Sequence, residues 1–321
     1  MMLCLCCGKE IKTTSNDQEK NSLWHEKCCK RFFGTSVVPD IDISKEVLEA
    51  IAIESTIKGY TVPGVQKKLS LHLSKEENIP RLTLVNYPTG YILKPQTEEY
   101  DALPEAEYLV MSMAKLVGIK TVPFALVKQD NGLAYITRRI DRPVYRSDIQ
   151  MLAMEDFCQL DGRLTQDKYK GSYERCGKII ETYSAQRGLD ISELFLRIVF
   201  SFVVGNSDMH LKNFSLIETS ERSDEYVLSA AYDMLPVNIV LPEDEEEVAL
   251  ALNGKKRNLR RKDFLAFASN CKLDGKIAEN LIESILKKRE KLIQLCRESY
   301  VPEDMREKLI ELIVKRCDII G

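Results

Sequence analysis

The apolar periodicity of this chain changes once, near Asp141, and no other feature restricts its fold as strongly. Before that point, alternating apolar runs predict strands over residues 68–73, 81–85, 91–94, 121–127 and 133–139. A short helix carrying Val47, Leu48, Ile51 and Ile53 precedes them. A second, residues 104–116, interrupts them, with Pro104 suited to its first turn and Leu109, Met113 and Leu116 on one side. Beyond Asp141 the spacing predicts helices over 154–160, 173–186, 191–204, 262–270, 276–297 and 303–317. Asp190 and Glu193 resemble a capping box at the third of these, and Ile277, Leu281, Ile285 and Leu292 form a core stripe on the fifth. A two-stranded ribbon (214–217 and 226–228) and a strand over 248–252 lie among the helices. The expected class is α+β: a segment over 1–38, a strand-rich lobe over 39–142 and a helical lobe over 143–321.

At 321 residues the chain is long enough to bury a full core, as one two-lobed domain or as two. A net charge of −3 supplies no global basic field, so any contact with nucleic acid must come from a local patch or through a partner. The N-terminus lacks the basic segment and apolar core of a signal peptide. The most apolar stretch, residues 194–204, is too short to span a bilayer and contains Arg197, which reads as a buried helix. No membrane partner and a reducing, cytoplasmic compartment are expected. An acidic run, Glu243 to Glu247, and a basic one, Lys255 to Arg257 with Arg260 to Lys262, read as solvated faces or as a docking surface.

The run from Gly205 to Asn213 contains Asp208, four intervening residues and Asn213, with Asp233 further on. Those are the parts of a phosphoryl-transfer site. A carboxylate (Asp208) accepts the proton of an attacking hydroxyl, while an amide (Asn213) and a second carboxylate (Asp233) hold Mg2+ as hard oxygen donors. Lys212 would balance phosphate charge, and His210 would shape the loop or touch phosphate rather than act as base. In the front half, Lys94 ends an apolar strand where its amine would meet nucleotide phosphates, and Glu107 on the following helix would hold it as an ion pair. Gly64-Val65-Gln66 would cover the phosphates with backbone N–H groups, and an ordinary turn explains it equally well. There is no Walker motif. The backbone near Arg138, Arg139 and Ile140 would form the hinge that bonds adenine.

Five of the ten cysteines fall within the first 29 residues, and the others are scattered singly through predicted helices as reduced core residues. Cys4-x2-Cys7-Gly8 and His25-x2-Cys28 are two chelating pairs suited to one four-coordinate Zn2+, with Gly8 permitting the tight turn. Cys6 or Cys29 could replace a neighbour by a shift of one residue.

From about Tyr60 onward the chain resembles the HipA family of bacterial serine/threonine kinases, the toxins of toxin–antitoxin pairs. The motifs carrying the resemblance are Gly64-Val65-Gln66-Lys67-Lys68, Ile92-Leu93-Lys94-Pro95, Ala106-Glu107-Tyr108 and Arg139-Ile140-Asp141-Arg142. Others are Glu155-Asp156-Phe157-Cys158-Gln159, Lys168-Tyr169, the Gly205–Asn213 run and Tyr232-Asp233. The resemblance implies a two-lobed protein-kinase-like fold and transfer of the ATP γ-phosphate to serine or threonine of a protein, such as an aminoacyl-tRNA synthetase. It implies Asp208 as base, Lys94 and Tyr232 at ATP, and Mg2+ on Asn213 and Asp233. It also implies a helix-turn-helix antitoxin through which DNA would be contacted indirectly. Thr61 matches a position that the family autophosphorylates, although serine is usual there. The family's N-terminal subdomain is expected to be missing, and a separate small protein could supply it. A nucleotide-binding scaffold acting through antitoxin and DNA, or a small-molecule kinase, are the alternatives.

Overall fold

The computed structural model describes residues 2–12, 14–41, 68–74, 81–83, 90–129, 132–145 and 148–321. The expected helix at Val47 to Ile53, and Thr61, Gly64, Val65 and Gln66, lie outside the described residues. The chain divides into two compact units, Met1–Tyr108 with Pro123–Ile149, and Leu109–Val122 with Gln150–Gly321.

The first unit is built on a six-stranded sheet in the order β1-β3-β2-β4-β6-β5. Its strands are β1 (Asp40–Ile41), β2 (Leu69–Ser74), β3 (Arg81–Thr83), β4 (Tyr91–Lys94), β5 (Phe124–Gln129) and β6 (Gly132–Arg138). Only β1 and β3 run parallel; the rest pair antiparallel. Tyr91 and Leu93 are buried because β4 lies inside the sheet, paired with β2 on one side and β6 on the other. Lys94, opposite Tyr135, is carried with them at 3% exposure. The Leu103–Val117 helix extends one residue beyond its expected span at each end. Ala106, Glu107 and Tyr108 are buried on it, and Glu107 bonds this sheet's Lys94. A two-stranded pair, β7 (Val144–Tyr145) with β8 (Asp148–Ile149), completes the described strands of this unit.

The second unit is helical around the Arg187–Val204 helix, whose residues Leu194 to Val204 are all buried. Such an apolar run belongs in a core rather than on a face. Arg197 is tolerated there because Glu193 Oε1 lies 2.9 Å from its Nε and the Ser229 carbonyl 2.7 Å from its Nη2. Burial nevertheless pulls its pKa down from the ordinary arginine value. A three-stranded sheet, β11 (Tyr226–Leu228), β10 (Ser215–Glu218) and β9 (Met154–Asp156), lies in the same unit. No helix among the described residues is long and apolar enough to cross a membrane.

Several local expectations are corrected. The helix over 154–160 starts only at Phe157, since Met154–Asp156 pairs with β10 and Asp156 caps the turn that follows. Asp190 is not a cap: the helix begins at Arg187, and Asp190 Oδ2 instead accepts from Ser184 Oγ at 2.6 Å and the Leu228 amide at 2.7 Å. The helix over 276–297 is two, Gly275–Leu286 and Arg289–Arg297, because the Lys288 amide bonds the carbonyl three residues back rather than four. Its stripe is shifted at the N-terminal end only. Ile285 and Leu292 are buried as expected, but Ile277 is 45% exposed and Leu281 only half-buried, while Ala278 and Ile282 face inward in their place. Val248, Ala249, Leu250 and Leu252 are buried and Ala251 is half-buried, but residues 248–252 form no regular strand, contacting Ser172 and Lys255 through single bridges.

The acidic and basic runs pair with one another. Lys256 Nζ is 3.0 Å from Glu246 Oε2, and Arg257 Nη1 is 2.6 Å from Glu245 Oε2. Beside them Asp263, 1% exposed, accepts from Lys255 Nζ at 2.8 Å, Asn253 Nδ2 at 3.0 Å and the Arg260 amide at 3.0 Å. Burial alone would raise this carboxyl, but those bonds outweigh it and hold its pKa below the ordinary aspartate value. Asp161, beside Arg163 and Arg175, behaves alike. A depressed folded-state pKa contributes stability above the unfolded value, which is lost as pH falls through the folded one. Urea midpoints should therefore hold down to about pH 5 and fall below about pH 4. Asp263→Asn should lose about 1–3 kcal/mol at neutral pH and show a shallower acid decline. An acid decline identical to wild type would refute the assignment.

Candidate active site

In the first unit, the ammonium of Lys94 lies 2.5 Å from Glu107 Oε1, with the two side chains 4% and 0% exposed. The strand end and the first turns of the Leu103–Val117 helix deliver these groups, 13 residues apart in sequence, to one point. Lys94 Nζ also lies 5.4 Å from the Tyr135 ring centroid, a cation–π contact across the β4–β6 pair. Among the residues expected to form the hinge, Arg139 forks onto Asp141, with Nε 3.1 Å from Oδ1 and Nη2 2.6 Å from Oδ2. Arg138 Nη1 reaches the Arg31 carbonyl at 3.4 Å, and Ile140 begins the turn after β6.

In the second unit, the Arg187–Val204 helix ends at Gly205, whose φ of +75° turns the chain into the loop. Asp208 follows, with its side chain 40% exposed. The Asn213 amide nitrogen donates to the Asp208 carbonyl at 2.9 Å, which closes the loop on itself. Because that nitrogen is committed, the Asn213 oxygen is the atom left to serve a cation. Tyr169 donates its hydroxyl to Asp208 Oδ1, and its ring packs edge-on to His210 with centroids 5.0 Å apart. Burial, then the adjacent Asp208 charge, pushes the Tyr169 phenol well above its ordinary pKa, so it stays a donor. His210 is buried, and its Nε2 is 3.9 Å from Asp208 Oδ1, too far for a hydrogen bond.

Lys212 Nζ lies 2.7 Å from Asp156 Oδ2, the capping residue of the Phe157–Leu160 helix. Tyr232 donates to the Lys212 carbonyl at 3.1 Å and lies 2.5 Å from Ser215 Oγ, which ties the residue before Asp233 to the residue before Asn213. Burial raises the Tyr232 phenol above its ordinary value. Asp233 itself adopts φ of +60°, a backbone conformation uncommon for a side-chain-bearing residue and concentrated at functional sites. Asp156 and Tyr169 were present in the motifs, yet nothing in their spacing marks them as partners of Lys212 and Asp208; the contacts span 56 and 39 residues.

Behind the loop stands a second tier. The Ser207 hydroxyl bonds Asp244 Oδ2 at 2.6 Å, and Asn238 accepts from Arg316 Nη2 at 2.8 Å while its own amide bonds the Gly205 carbonyl at 3.0 Å. Arg316 is buried, and its pKa is lowered to about 10 by that burial.

At the N-terminus, Cys4, Cys7, His25 and Cys28 form the one Cys/His cluster among the described residues, with their ligand atoms within 4.8 Å of one another. Neither Cys6 nor Cys29 joins it, and all ten cysteines are free.

The HipA-like C-terminal domain model matches residues 60–293. A protein named "Putative kinase" from Haemophilus influenzae is 28% identical over 314 residues, covering 88% of each chain. "Putative kinase Y4dM" from Sinorhizobium fredii is 34% identical over 239 residues, 68% of this chain and 55% of that protein, so the chain spans about half of that relative. Among solved structures, HipA of Shewanella oneidensis, in a complex with HipB and operator DNA, superposes with a TM-score of 0.68. It is 18% identical over 81% of this chain and 65% of that one. The Helicobacter pylori proinflammatory kinase CtkA gives 0.52 at 15% identity, over 72% and 87%. Both likenesses share the mixed α+β fold described above. The match of the family model over most of the chain places this protein in the HipA-like C-terminal domain family.

Proposed function

We propose that this chain is a HipA-like kinase that transfers the ATP γ-phosphate to serine or threonine of a cytoplasmic protein. The observation that carries the reading is the buried Lys94–Glu107 ion pair, the arrangement by which protein kinases hold the phosphate-binding lysine. In this reading Lys94 contacts phosphate oxygens and Asp208 accepts the proton of the attacking hydroxyl. The Asn213 oxygen and the Asp233 carboxylate would hold Mg2+, which neutralises the transferring phosphate when bound. The loop supports those roles: Asp208 is partly exposed, Asn213 has its nitrogen engaged, and Asp233 sits in an uncommon backbone conformation. A translation factor, such as an aminoacyl-tRNA synthetase, is the proposed substrate. A helix-turn-helix antitoxin is the proposed partner, a reading supported by the HipB-bound neighbour.

The test is transfer from labelled ATP with Mg2+ in a cell lysate. Label on serine or threonine of protein is the expected result. Label on a metabolite alone would move the chain to the small-molecule kinases, and tight ATP binding without any transfer would favour a scaffold.

A further inference from the structure

We propose that Cys4, Cys7, His25 and Cys28 bind one Zn2+ ion, and that this ion fastens the N-terminal segment to the β5 side of the sheet. The proposal is independent of the kinase reading. Zinc bonds of about 2.3 Å to sulfur and about 2.0–2.1 Å to nitrogen place tetrahedral ligands about 3.6–3.8 Å apart. Cys7 Sγ lies 3.5 Å and Cys28 Sγ 3.9 Å from His25 Nδ1, so the cluster already has that edge length.

The ring orientation fits as well. His25 Nε2 is 3.2 Å from the Glu10 carbonyl. A carbonyl can only accept, so Nε2 carries the proton and, in the neutral ring, Nδ1 presents its lone pair to the two sulfurs. A ligating histidine held through its far nitrogen by a carbonyl is the usual outer support of a zinc site. Gly8, at φ of +67°, makes the turn in which its amide bonds the Cys4 carbonyl at 2.8 Å.

The same short segment reaches the sheet. The Leu126 amide bonds the Leu5 carbonyl at 2.9 Å, one residue beyond Cys4. The Trp24 indole, one residue before His25, donates to the Leu126 carbonyl at 3.1 Å. Both backbone groups of one β5 residue are thus held by neighbours of metal ligands. Phe32 and Phe33 pack against Tyr91 of β4, with centroids 6.0 and 5.6 Å apart. A segment this short buries little by itself, so metal binding would supply much of its folding free energy.

Trp24 is the single tryptophan and is 1% exposed, which makes it a local reporter. The full chain, purified without chelator, should contain about one zinc per molecule. Removing it with a strong chelator should shift Trp24 emission to the red, and added zinc should reverse the shift. Cobalt in its place should give the intense visible absorption of a tetrahedral thiolate site. Cys6→Ser and Cys29→Ser should retain the metal, whereas Cys28→Ser should lose most of it. If Cys28→Ser does not fold, chelation of wild type still reads the site. Folded wild type that takes up no zinc on reconstitution, or that holds iron instead, would overturn the metal assignment. Trp24 emission indifferent to zinc removal would overturn the fastening role.

Discussion

Asp208→Asn is expected to lower the rate of phosphoryl transfer by about 10²–10⁴-fold while leaving nucleotide affinity close to wild type, the usual scale for removing a positioned general base. The substitution is nearly isosteric, and the loop does not depend on the lost charge. The Asn213 nitrogen bonds the Asp208 backbone carbonyl, and the His210 amide bonds the same oxygen at 2.8 Å, so both contacts survive. An asparagine oxygen can still accept the Tyr169 hydroxyl. What disappears is the ability to take a proton. Tyr169→Phe provides the contrast, since it removes one hydrogen bond to the carboxylate and keeps the carboxylate itself. It should cost about tenfold or less, in line with a net 0.5–1.5 kcal/mol for one hydrogen bond. Single-turnover transfer with pre-bound ATP separates chemistry from binding. Near-wild-type transfer by Asp208→Asn would remove Asp208 from the role of base.

The difference between what the sequence made readable and what it hid follows from how far each contact reaches. Lys94 and Glu107 were legible because a lysine ending an apolar strand and a glutamate on the next helix are local patterns with few alternative geometries. The turning back of the Asp208–Asn213 loop was legible because its residue types and spacing are themselves local. Tyr169 and Asp156 were not, since their partners arrive from remote loops with no periodicity to announce them. Asp190 misled for the converse reason. Its capping pattern is locally sound, but a hydroxyl from Ser184 and an amide of β11 recruit the carboxylate, so tertiary bonding overrides the cap. The shifted start of the stripe on the Gly275–Leu286 helix has a similar cause. Exposed Ile277 and buried Ala278 are one position apart, and only the surrounding packing decides which faces the core. Residues 248–252 read as a strand because they are apolar, yet burial alone does not require a ladder.

Glu107→Ala should destabilise the protein by about 3–5 kcal/mol, because the buried Lys94 ammonium loses the carboxylate 2.5 Å away without regaining water. The double replacement Lys94→Met with Glu107→Leu should recover most of that loss. Two apolar side chains of similar volume carry no desolvation penalty, and buried ion pairs are often neutral or worse against such a replacement. Kinase activity should be absent from Glu107→Ala and from the double variant alike. That divergence separates two reasons for keeping an ion pair in a core. If the pair serves stability, the double variant stays as unstable as Glu107→Ala. If it holds an amine ready for phosphate, stability returns and ATP affinity does not. Urea unfolding and ATP titration on the same three proteins measure both quantities. A double variant that binds ATP like wild type would remove Lys94 from the phosphate-binding role, whatever its stability.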